Sequence, residues 1–183
     1  MIMGDDMRLY VVRHGSTKWN ELGLIQGVSD IKLSSKGTKE ANKLKKKLSD
    51  VSFAVCITSP LLRAKQTAGI ITNGKTNIIV DDLLTERNMG TFEGTDHLEY
   101  ERFNYWDYKA NVSSNGVESV RELLSRTKVF LDKIKRLYSD KTVLVVTHGA
   151  TLRAIHYNVI GYDENTDFLK IKPKNGEVFY YEL

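Results

Sequence analysis

The segment Leu9-Tyr10-Val11-Val12-Arg13-His14-Gly15 decides the fold of this chain, and Val143-Leu144-Val145-Val146-Thr147-His148-Gly149 repeats its layout near the other end. In both segments a run of strand-forming residues ends just before a histidine-glycine pair. Apolar runs of this kind are typical of strands buried on both faces of a parallel sheet. Ligands bind beyond the carboxyl ends of such strands. We therefore predict that His14 and His148 face the same crevice at one edge of a sheet.

Strand and helix patterns alternate along the whole chain, which predicts an α/β fold. We expect a three-layer sandwich in which a mostly parallel mixed sheet carries helices on both faces. The predicted strands cover residues 7–13, 52–58, 78–80, 142–147, 167–172 and 177–182. The predicted helices cover residues 35–48, 60–72, 119–138 and 150–160. In the second of these helices, Ser59 is expected to be the N-cap and Pro60 the first helical residue.

Length and composition predict one domain, residues 1–183, with a small insertion at about 95–116, because 183 residues with 41% hydrophobic content can bury one core. No apolar run is long enough to cross a bilayer, and Met1–Asp6 lacks the layout of a signal peptide. We therefore expect a cytoplasmic protein without a membrane partner, in which the single cysteine, Cys56, is a core residue. The net charge of +4 suits an anionic substrate but is too small to imply nucleic acid. The sequence leaves open whether the protein forms a homodimer.

Arginines accompany the two histidines. Arg13 precedes the first histidine, and Arg63 lies in the first predicted turn of the helix that follows the second strand. Helix amino ends favour anions, and a guanidinium can grip two phosphate oxygens at once, so the pattern indicates a phosphate site. Two alternatives remain. A metal ion held by His14, His148 and Glu86 is disfavoured because the arginines would repel it, and the histidines could also be two unrelated structural residues.

A histidine beside arginines also suggests a reaction. Like-charge repulsion favours its neutral form, whose free lone pair can attack phosphorus and carry the phosphoryl group covalently. That reaction needs positive groups on the phosphoryl oxygens and an acid for the leaving alcohol.

Four blocks of the chain match a known family in their order and content: Arg13–Asn20, Ser59–Ala68, Leu84–Gly94 and Thr147–Gly149. In these blocks the chain resembles the histidine phosphatase superfamily, which contains the cofactor-dependent phosphoglycerate mutases. The resemblance covers essentially the whole chain. It implies a phosphoglycerate mutase-like fold and a small phosphomonoester as substrate, with neither a metal nor a cofactor.

The resemblance also implies catalytic roles. His14 would be the nucleophile that becomes phosphohistidine. Arg13, Arg63 and His148 would hold the phosphoryl oxygens. Glu86 would give a proton to the leaving oxygen and would later activate water.

Further positions take secondary roles or compete for a role. By the resemblance, Asn20 and Gly149 would be substrate contacts. Glu93 and Glu99 lie near Glu86 in the sequence and compete with it for the role of the acid. His97 matches no block and is expected to be structural or exposed, as is His156.

The chain length resembles the shorter, phosphatase branch of the family, so we expect a metal-independent phosphomonoester hydrolase of the histidine acid type. A cofactor-dependent phosphoglycerate mutase is the alternative, and a non-catalytic relative that binds a phosphorylated ligand is a second one. Five aromatic residues fall between positions 100 and 108. They are expected to line a substrate pocket, to form a small core of the insertion or to make an oligomer contact.

Overall fold

The computed structural model describes residues 6–183, with the side chain of Glu99 excepted. Residues 1–5, which include most of the segment compared with a signal peptide, lie outside the described residues. Five strands form one sheet, namely β1 (Arg8–Arg13), β2 (Val55–Thr58), β3 (Ile78–Val80), β4 (Thr142–Thr147) and β5 (Val178–Glu182). The strand order is β3-β2-β4-β1-β5, and only β5 runs antiparallel to its neighbour. The predicted mostly parallel mixed sheet is confirmed.

Within the described residues, six α-helices accompany the sheet: α1 (Lys18–Glu21), α2 (Ser35–Lys47), α3 (Leu62–Thr72), α4 (His97–Tyr100), α5 (Val120–Leu137) and α6 (Gly149–Ile160). Alternate strand residues point to opposite faces of the sheet. On one face, Val12 and Leu144 belong to a cluster with residues of α2 and α3. On the other, Val11 and Val145 pack in a cluster with residues of α5 and α6. This alternation produces the three-layer sandwich.

Parallel pairing brings three loops to one edge of the sheet. Arg13 of β1 is opposite Thr147 of β4, and Thr58 of β2 is opposite Val146 of β4. The residues that follow these strands therefore leave the sheet side by side. This register is the reason that segments far apart in the sequence can build one site.

The predicted strand at 167–172 is wrong. Asp167 accepts a hydrogen bond from the backbone of Leu169 through Oδ1, and from the backbone of Lys170 through its carbonyl, which closes a turn. Phe168 is buried against Tyr157 and Trp106. A short polar side chain that bonds to its own following backbone competes with strand pairing, and here the turn prevails.

The predicted start of α3 is also wrong. Its N-cap is Leu61, which makes no capping hydrogen bond with its side chain. Asp30, from a distant loop, instead accepts a hydrogen bond from the backbone of Leu62 at 2.6 Å. The Ser59 hydroxyl lies before the helix and contacts His148. A cap supplied by a distant loop cannot be found from the local sequence.

The aromatic residues of the insertion form mainly a small core. Tyr100 and Tyr105 stack at 5.0 Å between ring centroids and pack with Phe92. Trp106 is buried in a neighbouring cluster under the guanidinium of Arg87, which lies 4.6 Å from the ring centroid. Arg87 also donates hydrogen bonds to the carbonyl oxygens of Tyr105 and Glu118, which attaches the insertion to the main body. At least three of the five residues therefore serve packing.

Cys56 is a buried core residue. Burial raises the pKa of its thiol to about 12, so it stays protonated and is a poor nucleophile. Within residues 6–183, no helix has both the length and the apolar character needed to cross a membrane.

Two helical glycines provide a test of the packing between α2 and the loop after β1. A Cβ atom at Gly37 would lie 2.0 Å from the carbonyl oxygen of Ser16, whereas a Cβ atom at Gly69 would meet nothing within 4 Å. We expect Gly37→Ala to lower the free energy of unfolding by about 1–3 kcal/mol because backbone must move. The control Gly69→Ala should leave it unchanged or raise it by up to about 1 kcal/mol. Urea denaturation measures both values, and equal effects would contradict the proposed backbone contact.

Candidate active site

The structure brings the two strand-end histidines together. The ring centroids of His14 and His148 lie 5.1 Å apart, and the residues are 2% and 0% exposed. His14 follows β1 and His148 follows β4, its parallel neighbour. The prediction that both face one crevice agrees with this arrangement.

Arg63 connects the two rings. Its Nε–H group donates to His14 Nε2 and to His148 Nδ1, at 3.2 Å in each case. Its terminal nitrogens donate to the carbonyl oxygens of Ser29 at 2.7 Å and Gly27 at 2.8 Å. The guanidinium is fully buried and is held on both sides, so its orientation is set by these bonds.

The hydrogen bonds define the tautomer of each ring. His14 Nδ1 lies 2.7 Å from the carbonyl oxygen of Gly15, which can only accept, so this nitrogen carries the proton. His14 Nε2 therefore carries no proton, and its lone pair accepts from Arg63. In His148 it is Nδ1 that accepts from Arg63, so Nε2 carries the proton and donates to the Ser59 hydroxyl at 2.7 Å. These assignments make both imidazoles neutral.

The surroundings favour those neutral forms. Burial lowers the pKa of His14 well below its ordinary value of 6.5, and the positive charges of Arg63 and Arg13 lower it further. Burial and Arg63 act in the same direction on the pKa of His148. Burial also lowers the pKa of Arg63, to about 10, which still leaves it a cation at neutral pH. The site therefore contains a cation between two neutral bases.

Arg13 lies beside this group. Its Nη1 donates to the carbonyl oxygen of Pro173, and its Nε is buried with no hydrogen-bond partner among residues 6–183. A Cβ atom at Gly149 would lie 3.3 Å from the guanidinium carbon of Arg13. Gly149 thus leaves room for the arginine, and the Nε–H group remains available to an anion.

The carboxylate of Glu86 lies at the amino end of α6, whose N-cap is His148. Oε1 accepts from the backbone and the hydroxyl of Thr151 at 3.1 and 3.2 Å, and from the backbone of Arg87 at 2.9 Å. Oε2 accepts only from the backbone of Ala150, at 3.2 Å, among the described contacts. The structure therefore places this carboxylate against the helix that begins beside the second histidine.

Two threonine hydroxyls hold the chain just before Glu86. Thr147 donates to the carbonyl oxygen of Leu84 at 2.8 Å, and Thr151 donates to that of Thr85 at 2.7 Å. Both threonines flank His148 in the sequence. The segment that carries His148 thus also fixes the position of the loop that carries Glu86.

The competing acids are not placed in the same way. Glu93 accepts hydrogen bonds from backbone N–H groups of the loop at 28–29 and has no recorded contact with either imidazole. The side chain of Glu99 lies outside the described part of the structure. His97 is exposed, and His156 bonds through Nδ1 to the hydroxyl of Tyr181. Glu93, His97 and His156 thus take no part in the hydrogen bonds by which Arg63 connects the two imidazoles.

Asn20 is connected to the backbone of His14 through the side chain of Asn175. Its amide oxygen accepts from the backbone of Thr17 at 3.1 Å, in the capping box of α1, and from Asn175 at 3.3 Å. Asn175 also donates to the carbonyl oxygen of His14 at 3.0 Å. The structure thus places Asn20 near the loop after β1, and it records no bond between its side chain and an imidazole.

Several residues at the site carry no signal in the sequence. The carbonyl oxygens of Gly27 and Ser29, which bind Arg63, are backbone groups, and no side chain signals their role. Glu40 accepts from the backbone and the hydroxyl of Ser16, and so supports the loop after His14 from α2. Asn175 arrives from the far end of the chain. Only the tertiary contacts could have identified them.

Across residues 6–183, no group of three or more His, Cys, Asp or Glu residues is placed to hold a metal ion. The Nε–H group of Arg63 lies between the facing ring nitrogens, where a metal shared by both rings would have to sit.

The two buried histidines make the stability depend on pH. In the unfolded chain a histidine binds a proton below about pH 6.5, whereas in the folded protein the lowered pKa keeps the ring neutral. Stability should therefore decrease as the pH falls below 6.5, by about 1.4 kcal/mol per pH unit for each such ring. Between pH 6.5 and 5.5, where the unfolded histidine is only partly protonated, we expect His14→Asn to reduce this slope by about 1 kcal/mol per pH unit in urea denaturation. The exposed His97 provides the control His97→Asn, and an equal change of slope in both variants would contradict the assignment.

Comparisons with known proteins identify the family of this chain. The family model of the histidine phosphatase superfamily (branch 1) matches residues 9–182. The chain is 40% identical over 162 residues to the probable 2-carboxy-D-arabinitol-1-phosphatase of Arabidopsis thaliana, covering 84% of this chain but only 33% of that relative. It is 38% identical to a protein named uncharacterized phosphatase PhoE of Bacillus subtilis, over 84% of this chain and 77% of the relative.

The similarity extends to a relative named as a mutase and to a solved structure. The chain is 31% identical to the probable phosphoglycerate mutase GpmB of Erwinia tasmaniensis, over 88% of this chain and 78% of the relative. The structure of Bacillus stearothermophilus YhfR superimposes with a TM-score of 0.83 at 28% identity, covering 97% of this chain and 91% of that one. The family model over residues 9–182 and these relatives show that the chain belongs to the histidine phosphatase superfamily.

Proposed function

We propose that this protein hydrolyses the phosphomonoester of a small metabolite in two steps, with a phosphohistidine on His14 between them. The observation that carries the proposal is the tautomer of His14, whose Nε2 lone pair points toward a buried cation. A neutral imidazole in this position is a nucleophile held where a phosphate would be attracted. The buried Nε–H group of Arg13, which lacks a partner among the described residues, offers a further donor to the same anion.

In the first step, His14 Nε2 attacks phosphorus and forms an N–P bond while the bond from phosphorus to the ester oxygen breaks. Arg13, Arg63 and His148 stabilise the charge on the phosphoryl oxygens. The leaving oxygen takes a proton from Glu86. Oε2 of Glu86 is the oxygen suited to hold that proton, since it accepts only one hydrogen bond among the described contacts.

In the second step, water attacks the phosphorus of phosphohistidine. The carboxylate of Glu86 takes a proton from this water, and the N–P bond breaks. Inorganic phosphate leaves, and neutral His14 and protonated Glu86 are regenerated. No metal ion is needed in this scheme because the arginines supply the positive charge that a metal would otherwise supply.

Hydrolysis is preferred over isomerisation for this chain. The relatives at 40% and 38% identity are named phosphatases, whereas relatives named as phosphoglycerate mutases are 31% and 33% identical. Both reactions share the phosphohistidine step, so they differ only in whether water or a bound substrate takes the phosphoryl group. A panel of phosphomonoesters that includes 3-phosphoglycerate, assayed for both released phosphate and isomerised product, separates them.

The intermediate can be trapped directly. With a phosphomonoester labelled in the phosphoryl group and with chelator present, rapid quenching should yield an acid-labile phosphoenzyme. His14→Ala should abolish this label and lower the rate of turnover by more than about 1000-fold, because no other group replaces the nucleophile. Circular dichroism of the variant establishes that it is folded. Full activity in His14→Ala would overturn the proposal, and loss of wild-type activity on chelation would refute metal independence.

Glu86→Gln should have an effect that depends on the leaving group. An alkyl alcohol leaves poorly without a proton, so we expect the rate with alkyl phosphates to fall by about 100-fold to 10,000-fold. An aryl phosphate such as p-nitrophenyl phosphate needs little help and should lose much less. Steady-state kinetics with both substrates measure the difference. Equal losses would point to another acid, for which Glu93→Gln is the comparison.

A further inference from the structure

Glu93 accepts four hydrogen bonds but contacts neither imidazole. Its Oε1 accepts from the backbone of Val28 at 2.9 Å and of Met89 at 3.2 Å. Its Oε2 accepts from the backbone of Ser29 at 2.9 Å and from the hydroxyl of the same residue at 2.5 Å. Three of these four donors belong to the loop at 27–29, so the carboxylate is built into that loop.

The opposite side of the same loop holds Arg63. The carbonyl oxygens of Gly27 and Ser29 accept from its two terminal nitrogens. The carbonyl of Gly27 and the N–H group of Val28 belong to one peptide unit, which is planar and rigid. This unit accepts from Arg63 at one end and donates to Glu93 at the other. A displacement of the Glu93 carboxylate would therefore rotate this peptide plane and, with it, the carbonyl group that orients the Arg63 guanidinium.

Gly27 shows that the loop is shaped around the carboxylate. It adopts φ of +51°, a conformation that favours glycine. A Cβ atom at this position would lie 2.0 Å from Oε1 of Glu93. Both the backbone conformation of the loop and the close approach of the Glu93 carboxylate thus require glycine at position 27.

The charge of Glu93 also acts on Arg63. Burial lowers the pKa of Arg63, and the negative charges of Glu86, Asp30 and Glu93 act against this decrease. Within the described part of the chain, no carboxylate forms an ion pair with Arg63 within 4.0 Å. The guanidinium is thus held by neutral carbonyl groups and keeps its charge available to an anion, while Glu93 supports it from the far side of the loop.

We propose that Glu93 is a positioning residue, which acts through the peptide unit between Gly27 and Val28 to hold the Arg63 guanidinium between the two imidazoles. It touches neither the phosphoryl group nor the reacting atoms. Its effect on turnover rests on the proposed function, whereas its effect on the orientation of Arg63 does not.

Glu93→Gln is the main test. A glutamine has one acceptor oxygen, and its NH2 group would face two of the four donors, so the loop must shift. We expect the side-chain Nε–H resonance of Arg63, assigned by its loss in Arg63→Lys, to move or broaden in the nitrogen–proton spectrum. The affinity for inorganic phosphate and kcat/KM should both fall by roughly 10- to 100-fold, since small misplacements of a binding group have effects of this size.

Glu122→Gln is the matched control. Oε2 of Glu122 accepts from the backbone and the hydroxyl of one serine, Ser119, at 2.8 Å each, as Oε2 of Glu93 does with Ser29. It is the N3 residue of the capping box at the start of α5, and both of these bonds go to the N-cap residue Ser119 and not to the loop at 27–29. We expect Glu122→Gln to lower the melting temperature while leaving the Arg63 resonance and the phosphate affinity unchanged. If both variants change the resonance and the affinity alike, Glu93 is merely structural and the proposal fails.

A double-mutant cycle with Arg63→Gln tests the route. If Glu93 acts through Arg63, adding Glu93→Gln to Arg63→Gln should lower kcat/KM for an aryl phosphate by less than about twofold. An additional loss as large as in the wild-type background would overturn the proposal. Ser29→Ala, which removes only one of the four bonds, should shift the Arg63 resonance less and in the same direction, and it serves if Glu93→Gln does not fold.

The outcomes separate this inference from the proposed function. An unchanged Arg63 resonance in Glu93→Gln, in an active enzyme that forms phosphohistidine, rejects the positioning role alone. A shifted resonance and weaker phosphate binding, in a protein that hydrolyses no phosphomonoester, support the positioning role and reject the proposed reaction.

Discussion

The Nε–H group of Arg63 donates to both imidazoles at once, 3.2 Å from each ring nitrogen, and the rest of the site is arranged around that contact. A fully buried guanidinium is costly unless its donors are bonded. Its terminal nitrogens are bonded to two backbone carbonyls, and its Nε is bonded to the two rings. All four acceptors are neutral, so these bonds do not cancel the charge. Burial and, after it, this charge lower the pKa of both histidines and keep them unprotonated.

The sheet makes this contact possible. β4 lies between β1 and β2, and all three run parallel, so the residues that follow them leave the sheet together. Glycines then allow the backbone to come close. Gly15 packs against Gly37 of α2, where a Cβ atom would lie 2.4 Å from a carbonyl oxygen, and Gly149 leaves space for the guanidinium of Arg13. The loop positions and the charged groups are thus fixed by the same packing.

The long apolar runs and the alternation of elements predicted the fold class because their signal is local. β3 and β4 match their predicted residues, and α5 (Val120–Leu137) lies within its predicted range of 119–138. The strand at 167–172 failed because a turn at Asp167 and the burial of Phe168 outweighed the local pattern. The predicted cap of α3 was wrong because Asp30, from another part of the chain, accepts the hydrogen bond at the start of this helix.

The sequence by itself determined the family, the parallel sheet and the identities of the residues proposed for catalysis, because each of these is carried by residue type and order. Only the tertiary structure decided which ring nitrogen of each histidine carries no proton, since that depends on the carbonyl oxygen of Gly15 and the hydroxyl of Ser59. It also placed the two carboxylates differently, with Glu86 at the start of α6 and Glu93 behind the loop that holds Arg63. Hydrogen-bond partners that are backbone groups leave no trace in the sequence, and these are the partners that orient Arg63.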